Sequence, residues 1–80
     1  MIAYLTRQGS QVRRFGQTLQ VFEGEALIQT LFLHRLETLV LVGNINLTSG
    51  AISLLCRERL ETIFLTTNGR YKGRLEVDES

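Results

Sequence analysis

Residues 33–65 read LHRLETLVLVGNINLTSGAISLLCRERLETIFL, and this segment decides the fold. It contains an unbroken apolar strand over 39–42, a helix pattern over roughly 49–60 with Thr48 as its N-cap, and another apolar strand over 62–65. A strand that is apolar on both faces is expected to be covered on both. The order strand, helix, strand predicts a right-handed crossover between two nearly parallel strands.

Four short strands, separated by turn signals, precede this segment, and they are predicted at 2–6, 11–15, 18–22 and 25–31. We predict that they form an antiparallel meander with two-residue loops at 16–17 and 23–24. In that register Val12 pairs with Val21, Val21 with Ala26, and Leu19 with Ile28. This pairing collects apolar side chains on one face, as a sheet over a single core requires.

The opposite face of the meander is mostly polar, but it also carries Phe15, Phe22 and Leu27. Three large apolar side chains on a wet face are more than a monomer normally exposes. We therefore predict that these three residues form a homodimer interface or lie beneath another segment. Arg13 lies on the same face and points to solvent or to a partner.

A hairpin at Asn68-Gly69 is predicted between the strands at 63–65 and 71–75. It puts Arg70, Lys72 and Arg74 at alternate positions of one strand, about 6.6 Å apart, close to the phosphate spacing along a DNA strand. Two interpretations remain open for this row of charge. It contacts a nucleic-acid backbone, or it protects an exposed sheet edge from aggregation.

Eighty residues make a single domain. The predicted fold class is α+β and β-rich, with an antiparallel meander, one strand–helix–strand crossover and a C-terminal hairpin. Residues 1–75 form the β domain, and residues 76–80 form a tail or the start of a linker. No signal peptide precedes the first strand, and the longest apolar run has four residues, so no membrane partner is expected. The single cysteine, Cys56, fits a cytoplasmic compartment.

The net charge of +1 conceals an asymmetry, because residues 1–75 carry +4. Eight of the nine basic residues are arginine, which suits multidentate contact with phosphate. The one His and the one Cys fall in different elements, and no carboxylate pair is evident for acid–base chemistry. We therefore assign no catalytic residue and no metal ligand to this chain.

Short motifs run through essentially the whole chain: Gly9 with Val12-Arg13-Arg14, the run Leu33-His34-Arg35-Leu36-Glu37, residues 39–44, Leu47-Thr48 with Ala51, and residues 69–75. In this order and spacing they resemble the N-terminal β domain of the CRISPR-associated integrase that acquires spacers in antiviral defence. The resemblance implies that the chain is the non-catalytic part of a two-domain DNA endonuclease. It also implies that the chain alone is inactive.

The resemblance carries further expectations about cofactors and partners. The metal ligands of the family, for Mg²⁺ or Mn²⁺, belong to a C-terminal helical domain that would follow residues 76–80. Family members join prespacer DNA to the CRISPR repeat, form homodimers through their β domains, and bind the second numbered Cas protein. The implied roles of this chain are therefore homodimerisation and DNA backbone contact.

The resemblance also bears on single residues. Arg70 falls on a basic position that lies near DNA in relatives. Some relatives stack an aromatic ring on the duplex end from the turn after the first strand, but here that turn, residues 7–10, has none, and Arg7 could contact phosphate instead. The candidate DNA contacts are therefore Arg70, Lys72 and Arg74, with Arg7 and Arg13 as weaker candidates.

Three interpretations of the function remain. The chain is part of the integrase, or a free-standing β module that binds nucleic acid, or a purely structural dimerisation module. The length of the native open reading frame separates the first from the second. A salt-dependent binding measurement separates the second from the third.

Overall fold

The computed structural model describes residues 1–77, which form two four-stranded sheets and one α-helix. This architecture confirms the predicted β-rich α+β class, while the end of the predicted tail, residues 78–80, lies outside the described residues. The elements are β1 (Ile2–Leu5), β2 (Gln11–Phe15), β3 (Thr18–Glu23), β4 (Ala26–Phe32), a 3₁₀ turn (Leu33–Arg35), β5 (Thr38–Val42), β6 (Asn46–Leu47), α1 (Ser49–Arg57), β7 (Glu61–Leu65) and β8 (Tyr71–Arg74).

The strands β1, β5, β7 and β8 form one sheet, in this order, which we call the crossover sheet. Its β5 and β7 strands are parallel and are linked through α1, as the sequence predicted. The strands β4, β3, β2 and β6 form the other sheet, which we call the meander sheet.

The predicted four-stranded meander is wrong in its first strand. β1 lies in the crossover sheet, parallel to β5, with Ala3 beside Leu39 and Leu5 beside Leu41. The five residues between β1 and β2 allow the chain to pass from one sheet to the other, whereas an antiparallel neighbour would need only a tight turn. The meander therefore has three strands, β2 to β4.

The predicted pairing of β3 with β4 is also wrong. The turn falls at Gly24-Glu25 rather than at 23–24, and a β-bulge follows between Val21 and Phe22, so that Leu19 pairs with Leu31. An extra residue in one strand displaces every later pair, which changes the residues that face the core. Leu31 is consequently buried, while Ala26 and Ile28 are exposed. The predicted pairing of Val12 with Val21 is confirmed.

Helix α1 begins at the predicted cap, because the Thr48 hydroxyl accepts a hydrogen bond from the Ala51 amide at 3.2 Å. It ends at Arg57, three residues earlier than predicted. Arg59 adopts the left-handed conformation with φ of 54°, and the Leu60 amide donates to the Leu55 carbonyl. These features are those of a Schellman motif, in which an arginine occupies the usual glycine position.

Leucine side chains from both sheets and from α1 form a single core between the sheets. The buried residues include Leu5, Val12, Leu19, Val21, Leu31, Leu39, Leu41, Leu54 and Leu55. Ser10 and Thr62 are polar residues that are also buried, and the Thr62 hydroxyl donates to the Leu60 carbonyl at 3.1 Å. None of the helices among residues 1–77 is long and apolar enough to cross a bilayer.

The central residues of the strand at 39–42 are buried on both faces of the sheet, as expected, because Val40 is 6% exposed. Leu39 and Leu41 belong to the core, whereas Val40 and Val42 lie on the outer face of the crossover sheet. This outer face is more open at its β1 edge, where Tyr4, which is aligned with Val40, is 60% exposed.

Candidate nucleic-acid interface

The predicted hairpin joins β7 to β8, and its tip presents Arg70. The Gly69 amide donates to the Thr66 carbonyl at 2.9 Å, and Gly69 has φ of 85°, which closes a turn that only glycine adopts readily. The Thr66 amide donates to the Arg70 carbonyl at 2.8 Å, while the Arg70 amide donates to the Thr66 hydroxyl at 3.0 Å. The backbone of Arg70 is therefore fixed, and its exposed side chain projects from an ordered loop.

The evenly spaced row of three cations predicted on β8 is not formed. Phe64 pairs with Gly73 and Leu65 pairs with Tyr71, so Lys72 is the extra residue of a β-bulge. A bulge interrupts the strict alternation of side chains along a strand. The predicted spacing of about 6.6 Å between successive cations thus does not hold across Lys72, although all three cations are exposed.

The three basic residues of this hairpin differ in their charge environment. The guanidinium of Arg74 donates from Nη2 to Oε2 of Glu61 at 2.9 Å, and Oε1 of Glu61 accepts from the Thr38 hydroxyl at 2.9 Å. This pair is about half exposed, so its strength is modest, but it offsets the charge of Arg74. Arg70 and Lys72 have no ion-pair partner within residues 1–77, so the uncompensated charge lies at the hairpin tip.

The turn between β1 and β2 is rigid and charge-compensated. Arg7 donates from Nη1 to Oε1 of Glu23 at 2.8 Å, which weakens it as a candidate phosphate ligand. Gln8 holds the turn against the loop after β5, because its Nε2 donates to the Val42 carbonyl and its Oε1 accepts from the Asn44 amide, both at 2.7 Å. We call this arrangement the Gln8 clasp. Sequence reasoning did not find it, because an exposed glutamine in a turn carries no local signal.

The outer face of the meander sheet carries Phe15, Phe22 and Leu27, as predicted, with Phe15 68% exposed. It also carries Phe32, which the wrong register had concealed. The guanidinium carbon of Arg13 lies 4.3 Å from the centroid of the Phe22 ring, and Arg13 Nε donates to Oε1 of Gln11 at 2.6 Å. Arg13 is thus a stacked cation on this face and is not free in solvent.

No group of three or more His, Cys, Asp or Glu side chains among residues 1–77 is arranged to hold a metal ion. The described residues therefore do not fit the Mg²⁺ or Mn²⁺ that the resemblance implies for the whole protein. A shifted pKa occurs at Glu37, where the N-terminal ammonium group donates to Oε1 at 2.7 Å and lowers the pKa of the carboxyl by this hydrogen bond and by its charge. This exposed pair lies on the 3₁₀-turn side of the domain, away from the hairpin tip.

Several solved structures have the same fold, and their names identify Cas1 proteins or complexes that contain Cas1. A Cas1 protein from Thermotoga maritima superposes with a TM-score of 0.85 at 18% identity, over 99% of this chain and 26% of that one. A chain of a partial Cas6-RT-Cas1–Cas2 complex gives 0.86 at 19% identity, over 99% and 24%. A chain of a TtCas1–DNA complex gives 0.77 at 17% identity, over 96% and 26%.

These similarities establish the fold, and the chain spans about a quarter of the length of each of these three structures. No curated protein matches the sequence significantly. The family model described as CRISPR associated protein Cas1 matches residues 3–80, which is nearly the entire sequence. The chain therefore belongs to the CRISPR-associated Cas1 family.

Proposed function

We propose that this chain is the N-terminal, non-catalytic β domain of a CRISPR adaptation integrase, and that it contributes self-association and sequence-independent contact with DNA phosphates. Family membership supports the integrase role, and the observation that carries the DNA contact is the uncompensated charge of Arg70 and Lys72 on an ordered hairpin tip. By the same resemblance, Cas2 and prespacer DNA are the proposed partners of the whole protein.

The hairpin tip suits phosphate binding better than the other candidate positions. Arg74 and Arg7 would each have to leave a carboxylate before binding a phosphate, since Glu61 and Glu23 already hold them. Arg70 and Lys72 meet no such requirement. Contacts of this type position a duplex and do not distinguish its bases, so binding should be weak, indifferent to sequence and steeply dependent on salt.

The double variant Arg70→Ala/Lys72→Ala is expected to bind a blunt DNA duplex more weakly and with a smaller salt dependence. Each phosphate contact removed lowers the slope of log K against log salt by roughly one, so we expect a decrease of about two. Fluorescence anisotropy at four or more salt concentrations measures both quantities. Arg57→Ala is the matched control, because it removes an exposed cation on α1, away from the hairpin. Parental affinity and slope in the double variant would show that the tip is only a protected sheet edge.

We further propose that DNA cleavage requires residues outside this chain. The reaction of the family depends on a bound metal ion that activates a nucleophile, and such an ion needs grouped ligands. The chain is therefore expected to leave supercoiled, linear and branched DNA intact in Mg²⁺ or Mn²⁺, as read on a denaturing gel. Cleavage that is abolished by a chelator and co-purifies with the chain would contradict this proposal.

Self-association is proposed to use the outer face of the crossover sheet. Sheets with parallel strands are normally covered on both faces, and here Ile63 and Leu65, on the outer face of the crossover sheet, are only partly buried. This face also carries Glu61 and Arg74, so a two-fold contact can bring opposite charges together. The dimer contact predicted at Phe15, Phe22 and Leu27, on the other sheet, stays a prediction.

A further inference from the structure

The outer face of the meander sheet combines aromatic rings, guanidinium groups and neutral hydrogen-bonding side chains. The strand registers arrange this face in three rows across β2, β3 and β4: Gln11–Phe22–Leu27, Arg13–Gln20–Thr30 and Phe15–Thr18–Phe32. Polar amides and hydroxyls thus alternate with exposed rings. A buried core consists mostly of apolar side chains, and the solvent-facing side of a sheet is mostly polar, so this mixture is unlike either.

Two of the rings are paired with guanidinium groups. Arg13 lies over Phe22 at 4.3 Å, and Arg35, from the 3₁₀ turn, lies over Phe32 at 5.3 Å. Phe15 is exposed and has no guanidinium partner among the ring contacts of residues 1–77. Aromatic rings and guanidinium planes are the two side-chain surfaces on which nucleobases stack. The face therefore offers three stacking positions.

The charge of this face favours a polyanion over a second copy of the chain. Its three rows contain Arg13 and no Asp or Glu, and Arg35 adds a second cation at one end. A two-fold contact through this face would place like charges against each other. A phosphate backbone supplies the opposite charge, and the strand residues of the face supply amides and hydroxyls for base edges.

We propose that the outer face of the meander sheet binds an unpaired nucleic-acid strand by stacking its bases on the Phe15 ring and on the Arg13–Phe22 and Arg35–Phe32 pairs. Phe15 and Phe32 share a row and lie two strands apart, about 10 Å. Successive bases within a duplex strand are separated by about 3.4 Å, so only an opened strand places bases on both rings. The inference rests on the proposed DNA-binding function. In addition to the hairpin tip, which contacts the DNA backbone, it assigns a second surface that binds unpaired bases.

The test uses leucine substitutions, which remove the π-face and keep an apolar side chain. Phe15→Leu and Phe32→Leu are each expected to weaken binding of a fluorescent twelve-residue oligodeoxythymidylate about 5-fold or more. Binding of a blunt duplex should be unchanged. Tyr4→Leu is the matched control, since it removes an exposed ring from the other sheet. A parallel titration with oligouridylate shows whether the preferred strand is DNA or RNA, and ring-dependent binding of either supports the proposal.

The outcomes separate this inference from the proposed function. If both Phe variants bind the oligonucleotide as tightly as the parental chain, the inference is overturned. A changed solution mass of these variants, without loss of oligonucleotide binding, would also overturn it and would assign the face to contact with a second copy of the chain. If duplex binding still depends on Arg70 and Lys72, the proposed function stands while this inference fails. If the parental chain binds neither strand nor duplex, both fail. Circular dichroism melting confirms that each variant is folded.

Discussion

Ile63→Glu is expected to abolish the proposed self-association of the chain while leaving its fold intact. Ile63 lies between Val40 and Arg74 on the outer face of the crossover sheet, where it is half-buried. In a symmetric dimer the change affects both copies, and each loses the burial of the part of Ile63 that is still exposed in the monomer, about 0.8 to 1.5 kcal/mol. The two losses together correspond to a dissociation constant raised about 10-fold or more. In the monomer the new carboxylate faces water, so the fold tolerates it.

The matched variant Phe22→Glu places the same charge on the meander sheet. Sedimentation at several concentrations gives the mass of both variants and of the parental chain. A dimer that survives Phe22→Glu and is lost in Ile63→Glu supports the crossover sheet as the interface. The reverse result would contradict that proposal and support the contact predicted at Phe15, Phe22 and Leu27. A parental chain that stays monomeric at high micromolar concentration would count against a stable dimer through this domain.

Gly43→Ala is expected to lower the free energy of unfolding by about 2 to 5 kcal/mol. Gly43 has φ of 79°, and an alanine in the left-handed region loses about 1 to 2 kcal/mol. Its Cβ would also collide with the Gln8 amide and with the Thr67 methyl group, which forces a rearrangement of about 1 to 3 kcal/mol. The collision lies inside the Gln8 clasp, so its hydrogen bonds should weaken as well. A domain of this size is stable by only about 4 to 12 kcal/mol, so much of the population should unfold at moderate temperature.

Gly69→Ala provides the control for this prediction. Gly69 has nearly the same φ, 85°, but a Cβ there would meet no atom within 4 Å. It should therefore show the conformational penalty alone, about 1 to 2 kcal/mol. Urea unfolding of both variants gives the difference, which measures the collision at the clasp. Equal losses at the two positions would mean that Gln8 and Thr67 move aside freely.

The parts of the fold that the sequence predicted are those with a local signal. Thr48 was identified as a cap because its hydroxyl can satisfy an amide three residues later. Asn68-Gly69 marked its hairpin because glycine reaches a positive φ easily. The crossover followed from two apolar strands separated by a helix pattern. The placement of Phe15, Phe22 and Leu27 on the outer face of the meander sheet followed from strand periodicity.

The parts that failed depend on distant partners or on a single inserted residue. The bulge at Ile28 shifts the register without any glycine beside it. The bulge at Lys72 is followed by Gly73, but a glycine in a strand does not specify which pairing results. Arg59 ends α1 in a conformation for which glycine is the usual signal. The membership of β1 in the crossover sheet depends on β5, which lies more than thirty residues away. Because these two registers were predicted wrongly, the sequence did not indicate that Phe32 lies on the outer face or that the row of cations on β8 is interrupted.

Each sheet combines strands from the first and the second half of the sequence, and this arrangement affects how the chain folds. β1 pairs with β5 across 36 residues, and β2 pairs with β6 across 35, so each sheet needs strands from both halves of the sequence. The entropy of closing these long loops must be overcome before either sheet gains its pairing, which slows folding to the millisecond-to-second range of non-local β topologies. Neither half contains a complete sheet, so amide hydrogens of both sheets should exchange through the same global opening. Two peptides cut at residue 32 should accordingly remain unstructured apart and fold when mixed.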